Sequence, residues 1–312
     1  MTDAQHADNG GVTMPEDLPQ DRPLDSAWLT RAIALALDED LGGEPGRDVT
    51  TQATISPDAQ VTGDVVVREE GVVAGLTVIG HTLGQVATRL GLPEPRVTLL
   101  AHDGDLVPAG TTVAQIAGPG HVVLIAERTI LNFMSRACGI ATHTRTWVDA
   151  LEGTQTRVLD TRKTTPGLRE LEKYAVRCGG GTNKRMGLFD CAMVKDNHIV
   201  AAGSVAGAIR AIQEAYPGVP IQVEVERASQ AREAIEAGVR FLMLDNMPLD
   251  AMRALVEEVR ALEPEVGRVR LEATGGLTLA NARDVALTGV DFVSVGALTH
   301  SSPILDVALD LH

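Results

Sequence analysis

The stretch Leu159-Asp160-Thr161-Arg162-Lys163-Thr164-Thr165-Pro166-Gly167, continued by a helical run to Cys178, by Gly179-Gly180-Gly181-Thr182-Asn183-Lys184-Arg185 and by Val194-Lys195-Asp196-Asn197-His198, decides how the chain is read. Its forty positions carry eight Lys or Arg and five Asp or Glu, net +3, whereas the whole chain is −15, so the remainder sums to −18. Desolvated guanidinium and ammonium groups need a partner charge, and a basic, glycine-interrupted segment in an acidic protein points to a bound anion. Nucleic acid does not fit that role: the global charge repels a polyanion, and no basic stripe with interleaved aromatics supplies phosphate contacts or stacking. A small, highly charged ligand does.

Working outward, a short apolar strand ending in a polar residue and followed by a helix recurs from residue 156 onward. The strands are expected at 156–159, 192–194, 221–225, 241–244, 269–271 and 292–295, with helices including 204–215, 229–237, 249–262 and 279–287. Such alternation implies a parallel barrel or an open doubly wound sheet. The residues at the strand ends favour the barrel: Asp160-Thr161-Arg162-Lys163, Lys195-Asp196-Asn197, Glu224-Val225-Glu226, Asp245-Asn246, Glu272-Ala273-Thr274-Gly275-Gly276 and Gly296-Ala297. In a parallel barrel these ends converge on one rim, where such folds place their chemistry.

Upstream, residues 28–41 have apolar positions at helical spacing, with Ser26 placed as N-cap and Gly42-Gly43 as the stop. Strands at 61–68, 96–101 and 112–117 and a helix at 76–90 follow, and 122–151 reads as a long helix broken or bent near Cys138-Gly139. The Gly-Asp-x-Val-x-x-Gly pattern around Asp105 resembles biotinyl carrier domains, but no lysine sits at the hairpin tip. Residues 1–25, acidic and proline-containing, are expected to be a disordered leader. Cys138, Cys178 and Cys191 form neither an even disulfide set nor a close metal pair, so we expect small core thiols and a reducing compartment. No apolar run reaches the length of a membrane span, and the expected location is cytoplasmic.

Asp160-Thr161-Arg162-Lys163-Thr164-x-Pro166-Gly167, the Gly-Gly-Gly-x-Asn-x-Arg run and Lys195-Asp196-Asn197-His198 together resemble the quinolinate phosphoribosyltransferase family, also called carboxylating nicotinate-nucleotide pyrophosphorylases, and the likeness extends from about Trp28 to the C-terminus. The resemblance implies an α/β fold: an open α/β sandwich at 26–127, rejoined by 299–312, and an incomplete parallel β/α barrel of about six strands at 128–298. It implies transfer of phosphoribosyl from phosphoribosyl pyrophosphate to quinolinate with decarboxylation, in the biosynthesis of NAD. It also implies a homodimer, with further assembly left open, in which Arg128 completes the neighbour's pocket. Read alone, Arg128 is a solvated helix position.

Under that reading Arg162 and Arg185 clamp carboxylates, because a planar guanidinium offers two parallel donors where lysine offers a point charge. Arg128, Thr161, Lys184 and Lys195 complete the expected quinolinate set. Lys163, Lys195, Glu224, Asp245, Thr274, Gly275, Gly276, Gly296, Ala297 and His300 are expected on phosphoribosyl pyrophosphate, with Lys163, Glu224 and Asp245 catalytic. Glu224 and Asp245 suit Mg²⁺, directly or through water, and suit equally the ribose hydroxyls or the charge developing at the anomeric carbon. No organic cofactor is expected. Taken singly, each of these charged residues would be assigned to a surface ion pair, the ordinary fate of Lys and Arg. One departure stands out: the family commonly has His where this chain has Lys184. Two rival readings are a related transferase acting on another base such as nicotinate, and a non-catalytic ligand sensor on the same barrel.

Overall fold

The computed structural model describes residues 22–312; most of the expected leader lies outside the described residues. The elements run α1 (Ser26–Leu41), α2 (Val49–Thr54), β1 (Gln60–Val67), β2 (Gly71–Val72), α3 (Thr77–Leu90), β3 (Arg96–Leu99), β4 (Leu106–Val107), β5 (Thr111–Pro119) and α4 (Gly120–Ala150). Then come β6 (Arg157–Leu159), α5 (Arg169–Cys178), β7 (Ala192–Val194), α6 (Asp196–Ala202), α7 (Val205–Ala215), β8 (Ile221–Val225), α8 (Ala228–Glu236), β9 (Phe241–Asp245) and α9 (Leu249–Val266). The chain ends with β10 (Arg270–Thr274), α10 (Leu279–Ala286), β11 (Phe292–Ser294), α11 (Ala297–His300) and β12 (Val307–Leu311). It divides into two compact units, one of residues 149–162 and 182–295, the other of residues 22–148, 163–181 and 296–312. No helix among the described residues is long and apolar enough to cross a membrane.

The first unit is the barrel. Its six strands are all parallel, in the order β6-β11-β10-β9-β8-β7, so β6 and β7 end the sheet without pairing to each other. Part of that gap is bridged by Leu159 and Thr182. Side chains at one level of a parallel register share a face, and Glu224, Met243, Glu272 and Phe292 are register partners in sequence across β8, β9, β10 and β11. Leu159, Phe241, Met243 and Phe292 form the apolar interior, with the two phenylalanine rings stacked 5.8 Å apart. Glu272 was expected just past its strand; it lies inside β10 and is 1% exposed. A carboxylate in the middle of a buried strand reads locally as a strand end, and only its partner, described below, explains it.

The second unit is built on an antiparallel sheet of order β12-β1-β5-β3, with the C-terminal β12 paired along β1. Four local expectations are corrected. Residues 24 and 25 are part of the folded unit: Leu24 is buried, and Asp25, not Ser26, caps α1 by accepting from the Trp28 amide at 2.6 Å. The helix α4 runs unbroken for 31 residues through Cys138-Gly139. Gly139 is there for close approach: a Cβ would lie 2.0 Å from the Pro303 carbonyl oxygen. In the barrel unit, α9 continues past 262 through Pro264, which sits in its last turn.

That end of α9 is anchored electrostatically. Arg260 reaches Glu263 at 2.8 Å and Asp291 at 2.9 Å, Arg268 reaches Glu263 at 3.0 Å and also pairs with Asp291, and Glu263 accepts from the Val269 amide. Burial alone would raise the Glu263 carboxyl, but the Val269 amide and the two arginines outweigh it and hold it below the usual carboxylate range.

Two outcomes follow. Gly139→Ala improves helix propensity yet should lower stability by about 2 kcal/mol, because the new methyl meets backbone rather than a movable side chain; a rise in thermal midpoint would contradict the close contact. Glu263, with its folded pKa depressed, contributes stability that is present above its unfolded value near 4.5 and lost as pH falls through the folded one. Unfolding free energies of wild type and Glu263→Gln from urea melts should therefore differ at pH 7, by under about 1 kcal/mol for so solvent-touched a network, and the difference should shrink as pH falls below 4.5.

Candidate functional site

At the C-terminal end of β6, Asp160 is fully buried and accepts from Asn183 Nδ2 at 2.6 Å and from the Lys184 amide at 2.8 Å. Backbone bonds from Thr182 N to Val158 O (2.8 Å) and from Asp160 N to Thr182 O (3.2 Å) lay residues 182–184 along the free edge of β6. This is why two segments some twenty residues apart act together: Arg162 follows Asp160 by two positions, and Arg185 follows Asn183 by two. Both arginines are half-buried, and the Nε of each is a buried donor without a hydrogen-bond partner. Arg185 Nη1 donates to the Cys191 carbonyl at 2.9 Å. Burial, and then the neighbouring Arg162 charge, push Arg185 below the ordinary arginine range; the nearby Asp190 only partly offsets them. Its carboxylate is spent on the Met186 and Gly187 amides. Two like charges, partly desolvated, with donors left over, form a site that an anion would stabilise.

Lys184 goes to the barrel interior. Its ammonium sits on both oxygens of Glu272, at 2.7 and 2.6 Å, is 3.0 Å from Met243 Sδ, and lies 5.7 Å from the Phe241 ring centroid. Ser294 also donates to Glu272. A charge this deep needs its counter-ion, and Lys184 with Glu272 form a matched pair. Neither Glu272 as a partner nor Ser294 was recognised from sequence; the signal available was a lysine in an otherwise small-residue stretch, which requires a buried acid somewhere.

Lys195, at the end of β7, pairs with Glu224 of β8 at 2.6 Å, with side-chain exposures of 47% and 15%. Two expected ligands of opposite charge thus meet directly. His198 has a local task, its Nδ1 accepting from the Lys195 amide at 3.0 Å at the start of α6. Asp245 closes β9 and accepts from Asn246 Nδ2 at 2.9 Å. Asn246, with φ of 50°, lies against Gly275, where a Cβ would stand 2.3 Å from its side-chain oxygen; glycine is required there. Thr274, Gly275 and Gly276 then lead to the Thr278 cap of α10. Thr161 and Arg162, Lys195, Glu224, Asp245 and Thr274–Gly276 thus occupy one rim of the parallel barrel.

The remaining expected residues belong to the other unit. Lys163, Gly296, Ala297 and His300 are brought together there: the Thr299 hydroxyl donates to the Lys163 carbonyl at 2.8 Å, and a Cβ at Gly296 would lie 3.1 Å from Lys163 Cδ and 3.4 Å from His300 Nε2. Arg128 lies on α4 and is exposed. The cysteines are free thiols; burial pushes Cys138 and Cys178 up to about 12 and Cys191 up to about 11.

Residues 48–138 match the N-terminal domain, and residues 140–310 the C-terminal domain, of quinolinate phosphoribosyl transferase. The chain is 45% identical over 279 residues to a nicotinate-nucleotide pyrophosphorylase (carboxylating) of Mycobacterium leprae, covering 89% of this chain and 95% of that one. It is 38% identical over 297 residues to a quinolinate phosphoribosyltransferase (decarboxylating) of Nicotiana tabacum, covering 91% and 82%. The solved nicotinate-nucleotide pyrophosphorylase of Francisella tularensis superposes with a TM-score of 0.84 at 34% identity, over 97% of this chain and 100% of that one.

The buried pair gives a sharp expectation. Lys184→Met strands the Glu272 carboxylate and should cost about 3–5 kcal/mol, whereas Lys184→Met with Glu272→Leu should recover most of it; denaturant melts of the three proteins read the difference. The raised thiols predict that an aromatic disulfide reagent at pH 8 titrates no cysteine rapidly in the native protein and all three after unfolding.

Proposed function

Because the chain belongs to the quinolinate phosphoribosyl transferase family, we propose that it transfers phosphoribosyl from phosphoribosyl pyrophosphate to quinolinate with decarboxylation. The products are nicotinate mononucleotide, CO₂ and pyrophosphate, a step in NAD biosynthesis. The observation that carries this reading is the Arg162–Arg185 pair, two half-buried guanidinium groups with unspent donors on the rim that also bears Glu224 and Asp245. A ring with two adjacent carboxylates offers each fork a partner, and a ring with one leaves a buried cation unmatched.

In this mechanism Arg162, Arg185 and Thr161 hold the carboxylates, with Lys195 released from Glu224 to join them. Lys184 holds positive charge in the barrel interior, balanced by Glu272, and Arg128 of a neighbouring copy completes the set. Within the sandwich unit, Lys163, Gly296, Ala297 and His300 offer phosphate groups ammonium, imidazole and backbone donors. Within the barrel unit, Thr274, Gly275 and Gly276 offer backbone donors of the same kind. The pyridine nitrogen lone pair forms the bond to the anomeric carbon as the bond to pyrophosphate breaks, its electrons leaving with pyrophosphate. Glu224 and Asp245 face the positive charge that develops on the sugar. The bond to the carboxylate beside the ring nitrogen then breaks, its electrons held next to N⁺ until a proton replaces CO₂. Fixed charges and positioning suffice for these steps, and no acid–base dyad is required.

Among the described residues no group of three or more His, Cys, Asp or Glu is gathered to hold a metal. Two carboxylates, Glu224 and Asp245, suit an ion that brings most of its ligands, Mg²⁺ shared with pyrophosphate and water, and would contact it directly or through water. Bound there, it would neutralise charge on the departing pyrophosphate. Free thiols at all three cysteines agree with a reducing, cytoplasmic setting.

An assay that follows CO₂ and pyrophosphate together, with phosphoribosyl pyrophosphate and Mg²⁺ present, should show equimolar release with quinolinate and none with nicotinate. Equal turnover of nicotinate would favour the single-carboxylate reading, and binding without turnover the sensor reading. The proposed homodimer has its own test: inactive Arg128→Ala mixed with inactive Lys163→Ala should regain part of the activity through hybrid dimers, and no recovery despite verified subunit exchange would count against a shared pocket.

A further inference from the structure

The α/β sandwich unit contains a buried ion pair that the mechanism above does not use. Glu172 of α5 is fully buried, and Arg136 of α4 is 20% exposed. Arg136 Nε and Nη2 both reach Glu172 Oε1, at 3.2 and 2.8 Å, and the other carboxylate oxygen accepts from the Thr165 amide at 3.0 Å. The same guanidinium donates to the Thr299 carbonyl and, at 3.3 Å, to the Ser302 carbonyl. Thr299 in turn donates its hydroxyl to the Lys163 carbonyl at 2.8 Å and lies 3.3 Å from the Gly296 carbonyl. Lys163 is thus held from both sides, through its own carbonyl by Thr299 and through the amide two residues on by Glu172, and both holds run to one guanidinium.

Burying a carboxylate and a guanidinium carries a desolvation cost that well-packed apolar residues would avoid, so a pair retained in this position calls for a role beyond stability. Here the fork geometry supplies one. A planar donor can serve a carboxylate and two backbone carbonyls at once, where an ammonium cannot fix all of them in one plane. We infer that Arg136 and Glu172 are positioning residues that lock the Lys163–Thr165 segment to the Gly296–Ser302 segment, so that the Lys163 ammonium, the Gly296-Ala297 backbone and His300 present one preformed surface to the phosphates of phosphoribosyl pyrophosphate. Neither residue touches substrate. This rests on the functional reading above and deepens it, since it assigns the pair to one substrate and not the other.

Two variants test it without stranding a buried charge. Arg136→Lys keeps the ion pair and loses the fork; Thr299→Val keeps the volume and loses both hydroxyl contacts. Each should raise the KM for phosphoribosyl pyrophosphate about tenfold, the worth of one lost positioning hydrogen bond. The KM for quinolinate should stay within about twofold and the thermal midpoint within a few degrees, since only local contacts are lost. If both KM values instead rise together in step with a falling thermal midpoint, or neither moves, the pair is merely structural and the inference is overturned. Hydrogen exchange separates this from failure of the functional reading. A wild-type protein that turns over no quinolinate sinks that reading alone, and the coupling is still read from whether Thr299→Val deprotects the Thr165 amide as well as residues 299–302; deprotection confined to 299–302 overturns it.

Discussion

The Asp160 carboxylate is the constraint on which the barrel end of the molecule depends. Buried and gripped by Asn183 and the Lys184 amide, it fastens the segment after the triple glycine to the free edge of β6. The sheet ends at β6 on one side and β7 on the other, so residues 182–185 are fixed by this carboxylate together with the two backbone bonds between Thr182 and the edge of β6. Once they are fixed, alternation of side chains along an extended segment sends Lys184 inward to Glu272 and leaves Arg185 beside Arg162. The acid thus helps to hold together a patch of like charge that would otherwise disperse, one that a bound anion would stabilise.

Charge inside the barrel is arranged by the same register. Glu224 and Glu272 lie at one level, separated by Met243, and each has its own lysine, Lys195 toward the solvent and Lys184 in the interior. The exposed pair is cheap to separate and the buried one is not. Lys195 and Glu224 are therefore suited to exchange each other for ligands, while Lys184 and Glu272 hold the interior together.

Much of this was legible in the sequence because parallel β/α structure writes itself as apolar strands with polar ends, and the ends carry the chemistry. Arg162, Lys195, Glu224 and Asp245 could be placed on one rim from that pattern, whereas Arg185 ends no strand and entered only through the resemblance. What could not be read were interactions whose two halves are far apart in sequence and ordinary in isolation. Glu272 looked like a strand end because its lysine is 88 residues away, and Gly139 looked like a helix break because the carbonyl it makes room for belongs to Pro303. Arg136 and Glu172, 36 residues apart on two helices, carry no motif that would have singled them out. The Ser26 cap was misplaced by a single residue, within the ordinary ambiguity of adjacent capping side chains.

Calorimetric binding of quinolinate and of nicotinate to wild type and to Arg185→Lys reads the anion patch most directly. If two guanidinium forks converge on a dicarboxylate, the substitution, which keeps the charge and removes the fork, weakens quinolinate at least about tenfold and leaves the already weak nicotinate nearly unchanged. Equal affinities for the two acids in wild type, or no loss of quinolinate affinity in the variant, would contradict the account.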